Sequence, residues 1–404
     1  MNNNHYEFEL SLDVKKERIH SKVEIIYFNS SDDTKEINFY LHEEFKIINV
    51  KAADEYRSII DYSFKKKNDT NPFLPEANIL TIYFDKEVKK NENIILSFEY
   101  EGKIGTVSEF EINRVTSDWV ELGLYTPWFP LDKNMRLFTY NMKLSVDNEY
   151  SVVGNGKTEK SENSWIIKNP QGDFDCVILA SKDLKVKQVI RDKINVKLYY
   201  TDLIDKGTVR YTLKSTQGII VAYSDIFGKI DNQEMKIVYA KRKKGGGYAR
   251  KDFIVLSSRL DDNISSFKSL AHELAHLWWK NAPTDTWEDW LNESFAEYSA
   301  LLAIKKELGE KHFIELIKSK QESIEGLPSI KGIQRDHEKA YSVLYDKGCI
   351  LLYRLENKIG HDRFKLLFML INEEKVDSTE KFLSLLSKVT DKKIVKWFEK
   401  ELIK

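Results

Sequence analysis

The chain has 404 residues, which at about 150 residues per domain suggests two or three domains. Its 63 basic and 64 acidic residues leave a net charge of −1, so its charge gives no support for nucleic-acid binding. A hydrophobic fraction of 42%, with 12% aromatic residues, is typical of a globular protein and excludes a disordered chain.

The cellular location is inferred from what the sequence lacks. Two cysteines, Cys176 and Cys349, cannot form a disulfide framework, and their scarcity fits a reducing compartment. The first residues show no basic segment followed by an apolar one, so we predict no signal peptide. No apolar run reaches the length of about 18 residues that membrane insertion requires. We therefore expect a cytoplasmic protein, and the sequence leaves the oligomeric state open.

The first part of the chain has the period of β-strands. Phe8, Leu10, Leu12 and Val14 alternate with polar residues, as they do in a strand that buries one face. Similar segments recur to about residue 185, and loops rich in Asn, Asp, Gly and Lys separate them. We predict that residues 1–190 form a β-rich domain, either a sandwich or an open barrel-like sheet.

The second part changes to a helical period. Apolar residues recur at helical spacing from Gly207 to Gly228, two short strands follow, and from Ile264 the chain is helical almost to its end. We predict that residues 191–404 form an α+β domain. The expected fold class is therefore a multidomain α and β protein, with a sandwich-like β-rich domain followed by an α+β domain.

A metal-binding pattern occurs in the predicted helix that begins near residue 264. Residues 272–276 read His-Glu-Leu-Ala-His, which puts His272 and His276 one turn apart on one face, where they can hold one Zn²⁺. Glu273 lies beside them and can act as general base towards a metal-bound water. Glu293 in the next predicted helix completes a His₂Glu site with an open position. The alternative is an amphipathic helix that carries two histidines without a metal.

These residues also carry a family resemblance. HELAHLWW followed by WEDWLNESFAEY resembles the aminopeptidase N family of gluzincin metallopeptidases, whose pattern is HExxH and then WLNEGFA. The resemblance covers most of the chain and implies a thermolysin-like catalytic domain behind the β-rich domain. It implies one Zn²⁺ per chain, held by His272, His276 and Glu293, with Glu273 as base. It also implies a short form that lacks the family's helical C-terminal domain.

A second element of the family lies downstream. Tyr345-Asp346-Lys347-Gly348 resembles the family's Tyr-x-Lys-Gly, in which the tyrosine donates a hydrogen bond to the oxyanion of the tetrahedral intermediate. A phenol aimed where negative charge develops stabilises a transition state. The resemblance therefore assigns this role to Tyr345. Tyr341, one turn earlier, is the runner-up, and a packed aromatic side chain is the structural alternative.

Two departures from the family pattern concern the metal site and the substrate. Sixteen residues separate His276 from Glu293, roughly two fewer than the family usually has, and we expect the site to survive this shorter connector. Where the family has Gly-x-Met-Glu-Asn, the chain reads Gly245-Gly246-Gly247-Tyr248-Ala249. The glycines allow a substrate to be bound as an added strand, although a flexible loop is the alternative. Tyr248 replaces the glutamate that binds the substrate α-amino group, and a neutral phenol cannot supply that anion.

A residue of the β domain is a candidate to replace the missing anion. The family places a Gln or Glu before a Phe-Pro loop, and Glu121 occupies that place here. We predict that Glu121 supplies the anionic partner of a substrate amine. A solvated strand glutamate is the alternative.

These features together predict a zinc-dependent peptidase with a peptide substrate, and an aminopeptidase is the first choice. The loss of the family's glutamate at Tyr248 keeps an endopeptidase or a dedicated peptide-processing protease as the alternative. A catalytically silent peptide-binding protein is a further alternative, and metal content and turnover would distinguish it.

Overall fold

The computed structural model describes residues 3–53, 57–66, 74, 76–104, 112–191, 194–230, 234–260 and 262–404. Contacts between Cα atoms divide the chain into two units. The first unit comprises Met1–Lys185, Tyr199–Leu203 and Ala240–Lys244, and the second comprises Val186–Leu198, Ile204–Tyr239 and Gly245–Lys404.

The first unit is built from strands. They are β1 (Asn4–Asp13), β2 (Arg18–Phe28), β3 (Thr34–His42), β4 (Lys46–Ala52), β5 (Ile59–Lys65), β6 (Ala77–Val88), β7 (Asn93–Lys103), β8 (Arg114–Val115), β9 (Val120–Leu122), β10 (Leu131–Asp132), β11 (Phe138–Ser145), β12 (Ser151–Gly154), β13 (Lys157–Ser161), β14 (Ser164–Asp173) and β15 (Ile178–Ser181).

These strands form three sheets. The largest has seven strands in the order β13-β14-β11-β1-β2-β7-β4, and β1 runs parallel to β11 but antiparallel to β2. The two four-stranded sheets have the orders β10-β3-β6-β5 and β12-β15-β9-β8. Strand β1 shows why the sequence folds this way, since Tyr6, Phe8 and Leu10 are buried while the intervening glutamates are exposed. The alternation predicted from the sequence therefore becomes a buried face of the first unit's core.

The second unit combines one sheet with most of the helices. Its elements are β16 (Lys185–Arg191), β17 (Ile194–Tyr200), α1 (Lys206–Phe227), β18 (Glu234–Ala240), β19 (Gly247–Arg250), β20 (Phe253–Ser257), α2 (Asn263–Ala275), α3 (Trp290–Glu307), α4 (Glu310–Ser323), α5 (Gly348–Ile359), α6 (His361–Glu373), α7 (Thr379–Val389) and α8 (Lys392–Leu402). The sheet order is β16-β17-β18-β20-β19, so β19 forms one edge.

Helix α3 lies in the interior of the second unit. Its apolar residues are spread around the whole helix, as expected of a helix that is buried on all sides. Phe295 of α3 packs against Trp279, Trp290 and Phe368, with ring centroids between 5.0 and 5.6 Å apart. The aromatic cluster fixes α3 against α6 and against the segment that follows α2, which matters because α2 and α3 carry the predicted metal ligands.

The two units confirm the predicted fold class, a strand-rich N-terminal unit followed by an α+β unit. Within the described residues, no helix has the length and apolar character that a bilayer crossing needs.

Candidate metal centre

Helix α2 presents the first two candidate ligands. The carboxylate of Asp262 caps its N-terminus by accepting hydrogen bonds from the backbone N–H groups of Ile264 and Ser265. His272 and Glu273 are buried in the last turn, and His276 ends the helix. The ring centroids of His272 and His276 lie 5.0 Å apart, so both imidazoles face one place, as the i, i+4 spacing predicts.

Helix α3 presents Glu293, despite the short connector. The Nδ2 of Asn292 donates to the carbonyl of Ala282 at 3.0 Å, and its Oδ1 accepts from the Ala282 N–H at 3.2 Å. The indole N–H of Trp290 donates to Thr379 Oγ1 at 2.8 Å. These bonds explain two residues of the Trp-Leu-Asn-Glu sequence, since Asn292 fastens the connector to α3 and Trp290 fixes the start of the helix. Glu293 therefore reaches the two histidines.

The three side chains form a donor set that fits Zn²⁺. One ligand atom each of His272, His276 and Glu293 lies within 4.8 Å of the others, and no other such trio is found among the described residues. Glu293 Oε2 is 3.2 Å from His272 Nε2 and 3.6 Å from His276 Nε2. The other ring nitrogens are engaged elsewhere, His272 Nδ1 with Glu297 Oε2 at 3.0 Å and His276 Nδ1 with the Trp279 carbonyl at 2.9 Å. When both Nδ1 atoms donate, both Nε2 atoms offer a lone pair to the metal.

The electrostatics of the site shift the pKa values of His272 and Glu293 in opposite directions. Burial by itself lowers the pKa of His272, but hydrogen bonds to Glu293 and Glu297 outweigh it and raise the pKa to about 10. Burial raises the pKa of Glu293, but the electrostatic influence of His276 and the hydrogen bond from His272 outweigh it and lower the pKa to about 2. Glu293 is therefore an anion at neutral pH, as a metal ligand must be.

Glu273 has a different environment. Burial raises the pKa of its carboxyl group above the ordinary value, and the charges of His272 and His276 only partly oppose this. A raised pKa makes the carboxylate a stronger base, which suits a group that takes a proton.

Tyr345 lies against the ligands on a π-helical turn, Ser342–Lys347. Its ring is nearly parallel to the imidazole of His272, with the centroids 5.6 Å apart and the planes at 7°. The phenol lowers the pKa of Glu293, and burial raises the pKa of the phenol well above its usual value, so it keeps its proton. Tyr341 stacks on the outer side of Tyr345 at 4.1 Å and is 65% exposed. The structure thus brings Tyr345, not Tyr341, to the candidate ligands.

The Lys-Gly that follows Tyr345 has a packing role. Lys347 Nζ donates to the carbonyls of Leu327 and Pro328 at 3.0 and 2.8 Å. A Cβ atom on Gly348 would lie 1.8 Å from Ser294 Oγ, so glycine is required where the chain crosses α3 next to Glu293.

The glycine segment lies beside Glu273. Gly247 begins β19, and a Cβ atom there would be 3.0 Å from Glu273 Oε1 and 2.9 Å from the carbonyl of Val255. Gly246 has φ +110°, and its carbonyl accepts from the Ser257 N–H at 3.0 Å. Gly245 precedes them in the second unit. Gly247 therefore lies on the edge strand, and Gly245 and Gly246 precede it outside any helix or strand.

Tyr248 is buried, and a cation accompanies it. The guanidinium of Arg250 lies 4.8 Å from the centroid of the Tyr248 ring. Arg250 also lowers the pKa of Glu273 slightly through its charge. Sequence analysis missed Arg250, although an i, i+2 position on a strand puts it on the same face as Tyr248.

Glu121 lies in the first unit on β9 and is fully buried. It forms an ion pair with Arg242, and the indole N–H of Trp119 donates to its Oε2 at 3.3 Å. The alternative of a solvated strand glutamate is therefore wrong. Its predicted contact with a substrate amine stays a prediction.

Comparisons of the sequence and of the fold show similarity to known peptidases. Residues 248–401 match the family described as Peptidase family M1 domain. Leucine aminopeptidase 2 of Emericella nidulans is 36% identical over 112 residues, which are 24% of this chain and 18% of that protein. The chain thus spans about a fifth of that relative's length.

Two solved structures resemble almost the whole chain. An M1 zinc metallopeptidase mutant from Deinococcus radiodurans, with a Tyr-Ser-Ala substrate bound, has a TM-score of 0.75 at 14% identity and covers 98% of this chain and 93% of its own. Leukotriene A4 hydrolase from Saccharomyces cerevisiae has a TM-score of 0.76 at 18% identity, with 99% and 67% covered. These likenesses identify the fold.

The family match covers the segment that holds the edge strand, the two histidines, Glu293 and Tyr345, and zinc is the metal of this family. Through residues 248–401, the chain is similar to the peptidases of family M1.

Proposed function

We propose that the protein is a zinc-dependent aminopeptidase that releases N-terminal residues from peptides. The observation that carries the proposal is the position of Glu273. Its carboxylate lies 3.0 Å from the place of a Cβ on Gly247, at the edge strand of the sheet, and next to the donor set of His272, His276 and Glu293. A base, a candidate metal site and the edge strand β19 therefore meet at one point.

The strand edge supports binding of an extended peptide. The substrate would pair with β19 through backbone hydrogen bonds, and the glycines let its backbone approach closely. The Deinococcus relative, which has a tripeptide substrate bound, supports the same class of ligand for this chain.

The chemistry of the proposal divides between the metal and the side chains. When bound, Zn²⁺ supplies a Lewis acid that polarises a carbonyl group and lowers the pKa of water. Glu273 takes a proton from the attacking water and passes it to the leaving nitrogen. The phenol of Tyr345 donates a hydrogen bond to the developing oxyanion.

A specific observation favours an endopeptidase as the second candidate. The family's amine-binding glutamate is replaced by Tyr248, a neutral phenol on the edge strand. A peptide bound by an internal segment carries no charged amine there.

The deciding experiment maps cleavage of one peptide pool by mass spectrometry, with free and with acetylated N-termini. The Glu273→Gln variant is the blank, because it loses the base but keeps the metal ligands. Stepwise loss of single residues from free N-termini alone would support the aminopeptidase. Internal cuts in both pools would support the endopeptidase, and zinc binding without cuts above the blank would leave a peptide-binding protein.

A further inference from the structure

A network of charged side chains contacts His272 at Nδ1, the ring nitrogen that does not face Glu293. Glu297 on α3 has its Oε2 3.0 Å from His272 Nδ1. Its Oε1 is 2.6 Å from Lys268 Nζ on α2 and 2.6 Å from Lys320 Nζ on α4. Lys320 also forms an ion pair with Asp346, the residue next to Tyr345. The network therefore begins at His272, a predicted metal ligand, and ends at Asp346, next to the predicted oxyanion donor Tyr345.

Lys320 differs from Lys268 in two respects. Lys320 contacts the carboxylates of both Glu297 and Asp346, whereas Lys268 joins the network through Glu297. The Lys320 side chain is only 9% exposed, compared with 29% for that of Lys268. A buried ammonium group held between two carboxylates has little freedom, so its position fixes the distance between them.

Each end of this network constrains one residue of the candidate site, His272 at one end and Tyr345 at the other. Glu297 accepts from Nδ1 of His272, which orients the ring and leaves Nε2 free to bind the metal. Asp346 belongs to the π-helical turn that carries Tyr345, and its ion pair with Lys320 anchors this turn. The ring of Tyr345 stacks on that of His272, with the two planes at 7°. The distance between His272 Nε2 and the phenol therefore depends on the link between the two carboxylates.

We propose that Lys320 is a positioning residue that ties the zinc ligand His272 to the turn carrying Tyr345. This inference rests on the proposed peptidase function of the site. It assigns Lys320 no contact with the substrate. Lys320 acts through Glu297 on the metal and through Asp346 on the tyrosine.

Lys320 has two arms, one to Glu297 and the metal ligand and one to Asp346 and the turn. Three substitutions test them separately. Lys268→Met removes one partner of Glu297 and leaves Asp346 untouched, so zinc affinity falls while kcat at saturating zinc stays within about twofold. Asp346→Asn cuts only the arm to the turn, so kcat falls about tenfold while zinc affinity stays the same. Lys320→Met weakens both arms, so zinc affinity and kcat each fall by about 10- to 100-fold with KM nearly unchanged. Zinc affinity is measured by competition with a chelator and needs no turnover.

Lys318→Met is the matched control, because Lys318 lies on the same helix and is exposed. Neither zinc affinity nor kcat should change. A double-mutant cycle adds a second measurement. If Lys320 acts through the phenol, Lys320→Met combined with Tyr345→Phe lowers kcat by less than the product of the single effects. Combining Lys268→Met with Tyr345→Phe gives the simple product.

The inference is overturned if Lys320→Met leaves kcat unchanged, if Lys268→Met lowers kcat equally, or if the cycle with Tyr345→Phe is multiplicative. Should Lys320→Met fail to fold, Asp346→Asn decides, because an unchanged kcat there removes the link to the turn. Failure of the proposed function looks different, since the wild-type protein would then bind zinc without hydrolysing any peptide.

Discussion

Tyr345 differs from phenylalanine by one hydroxyl group, and its ring lies parallel to that of the candidate metal ligand His272. Removal of one oxyanion donor costs about 10²–10³ in kcat in other hydrolases. We predict a fall of this size for Tyr345→Phe, with zinc content unchanged because the three metal ligands remain. Steady-state kinetics and metal analysis measure the two effects. Tyr341→Phe is the control, since Tyr341 stacks on Tyr345 from the exposed side, and an equal loss there would contradict the assignment.

Glu121 combines a structural role with a predicted one. Its side chain and that of Arg242 are both 0% exposed, so Glu121→Gln removes a negative charge that faces a buried cation. We predict that this substitution lowers the free energy of unfolding by about 3–5 kcal/mol, as measured by denaturant unfolding. Glu121→Gln combined with Arg242→Met should recover most of that loss.

The same double variant tests amine binding without the loss of stability. If Glu121 anchors the substrate amine, KM rises for free peptides and stays the same for acetylated ones. Equal kinetics on free peptides for the double variant and the wild type would rule the anchor out.

At the scale of elements, the close crossing of the π-helical turn over α3 determines where Tyr345 lies relative to Glu293. The Ser294 hydroxyl donates to the carbonyl of Leu344, and a Cβ atom on Gly348 would lie 1.8 Å from that hydroxyl oxygen. We predict that Gly348→Ala pushes the turn away from α3, destabilises the fold by about 1–3 kcal/mol and lowers kcat. Thermal unfolding and kinetics would detect both effects.

A glycine in another helix provides the matched control for this substitution. A Cβ on Gly218 of α1 would meet only the carboxylate of Glu307 at 3.7 Å, an ordinary contact. Gly218→Ala should therefore stabilise the protein by up to about 1 kcal/mol. If Gly348→Ala were equally harmless, close packing at the crossing would not explain the Lys-Gly sequence.

At the scale of the whole molecule, metal binding is linked to protons and to stability. The pKa of His272 is raised to about 10 without metal, so this ring is protonated at pH 7, whereas Glu293, with a pKa of about 2, is not. Zinc requires the neutral ring, so we predict that binding near pH 7 releases about one proton from His272. Affinity should then rise about tenfold per pH unit and level off near pH 10.

Titration calorimetry in buffers of different ionisation enthalpy measures the protons released. A proton count of zero for this site would contradict the pKa of His272. Removal of zinc by a chelator should also lower Tm, because the metal binds the folded state. Restoring zinc should recover Tm, and the Glu273→Gln variant, which keeps all three ligands, should respond in the same way.

The sequence alone determined the local features of this protein. The strand period of the first unit, the helical period of the second and the one-turn spacing of His272 and His276 all depend on residues close together in the chain. The resemblance of two short segments added Glu293 and Tyr345 to the candidate site. Local spacing predicts such features because helices and strands have fixed periods.

Tertiary structure decided what depends on residues far apart in the chain. The pairing of Glu121 with Arg242, the position of Gly247 beside Glu273 and the link from Glu297 through Lys320 to Asp346 have no periodic signal. Each pair meets only when separate elements pack together, and packing depends on the fit of many side chains at once. The sequence therefore determined which groups could do the chemistry, and the fold decided which charges orient them.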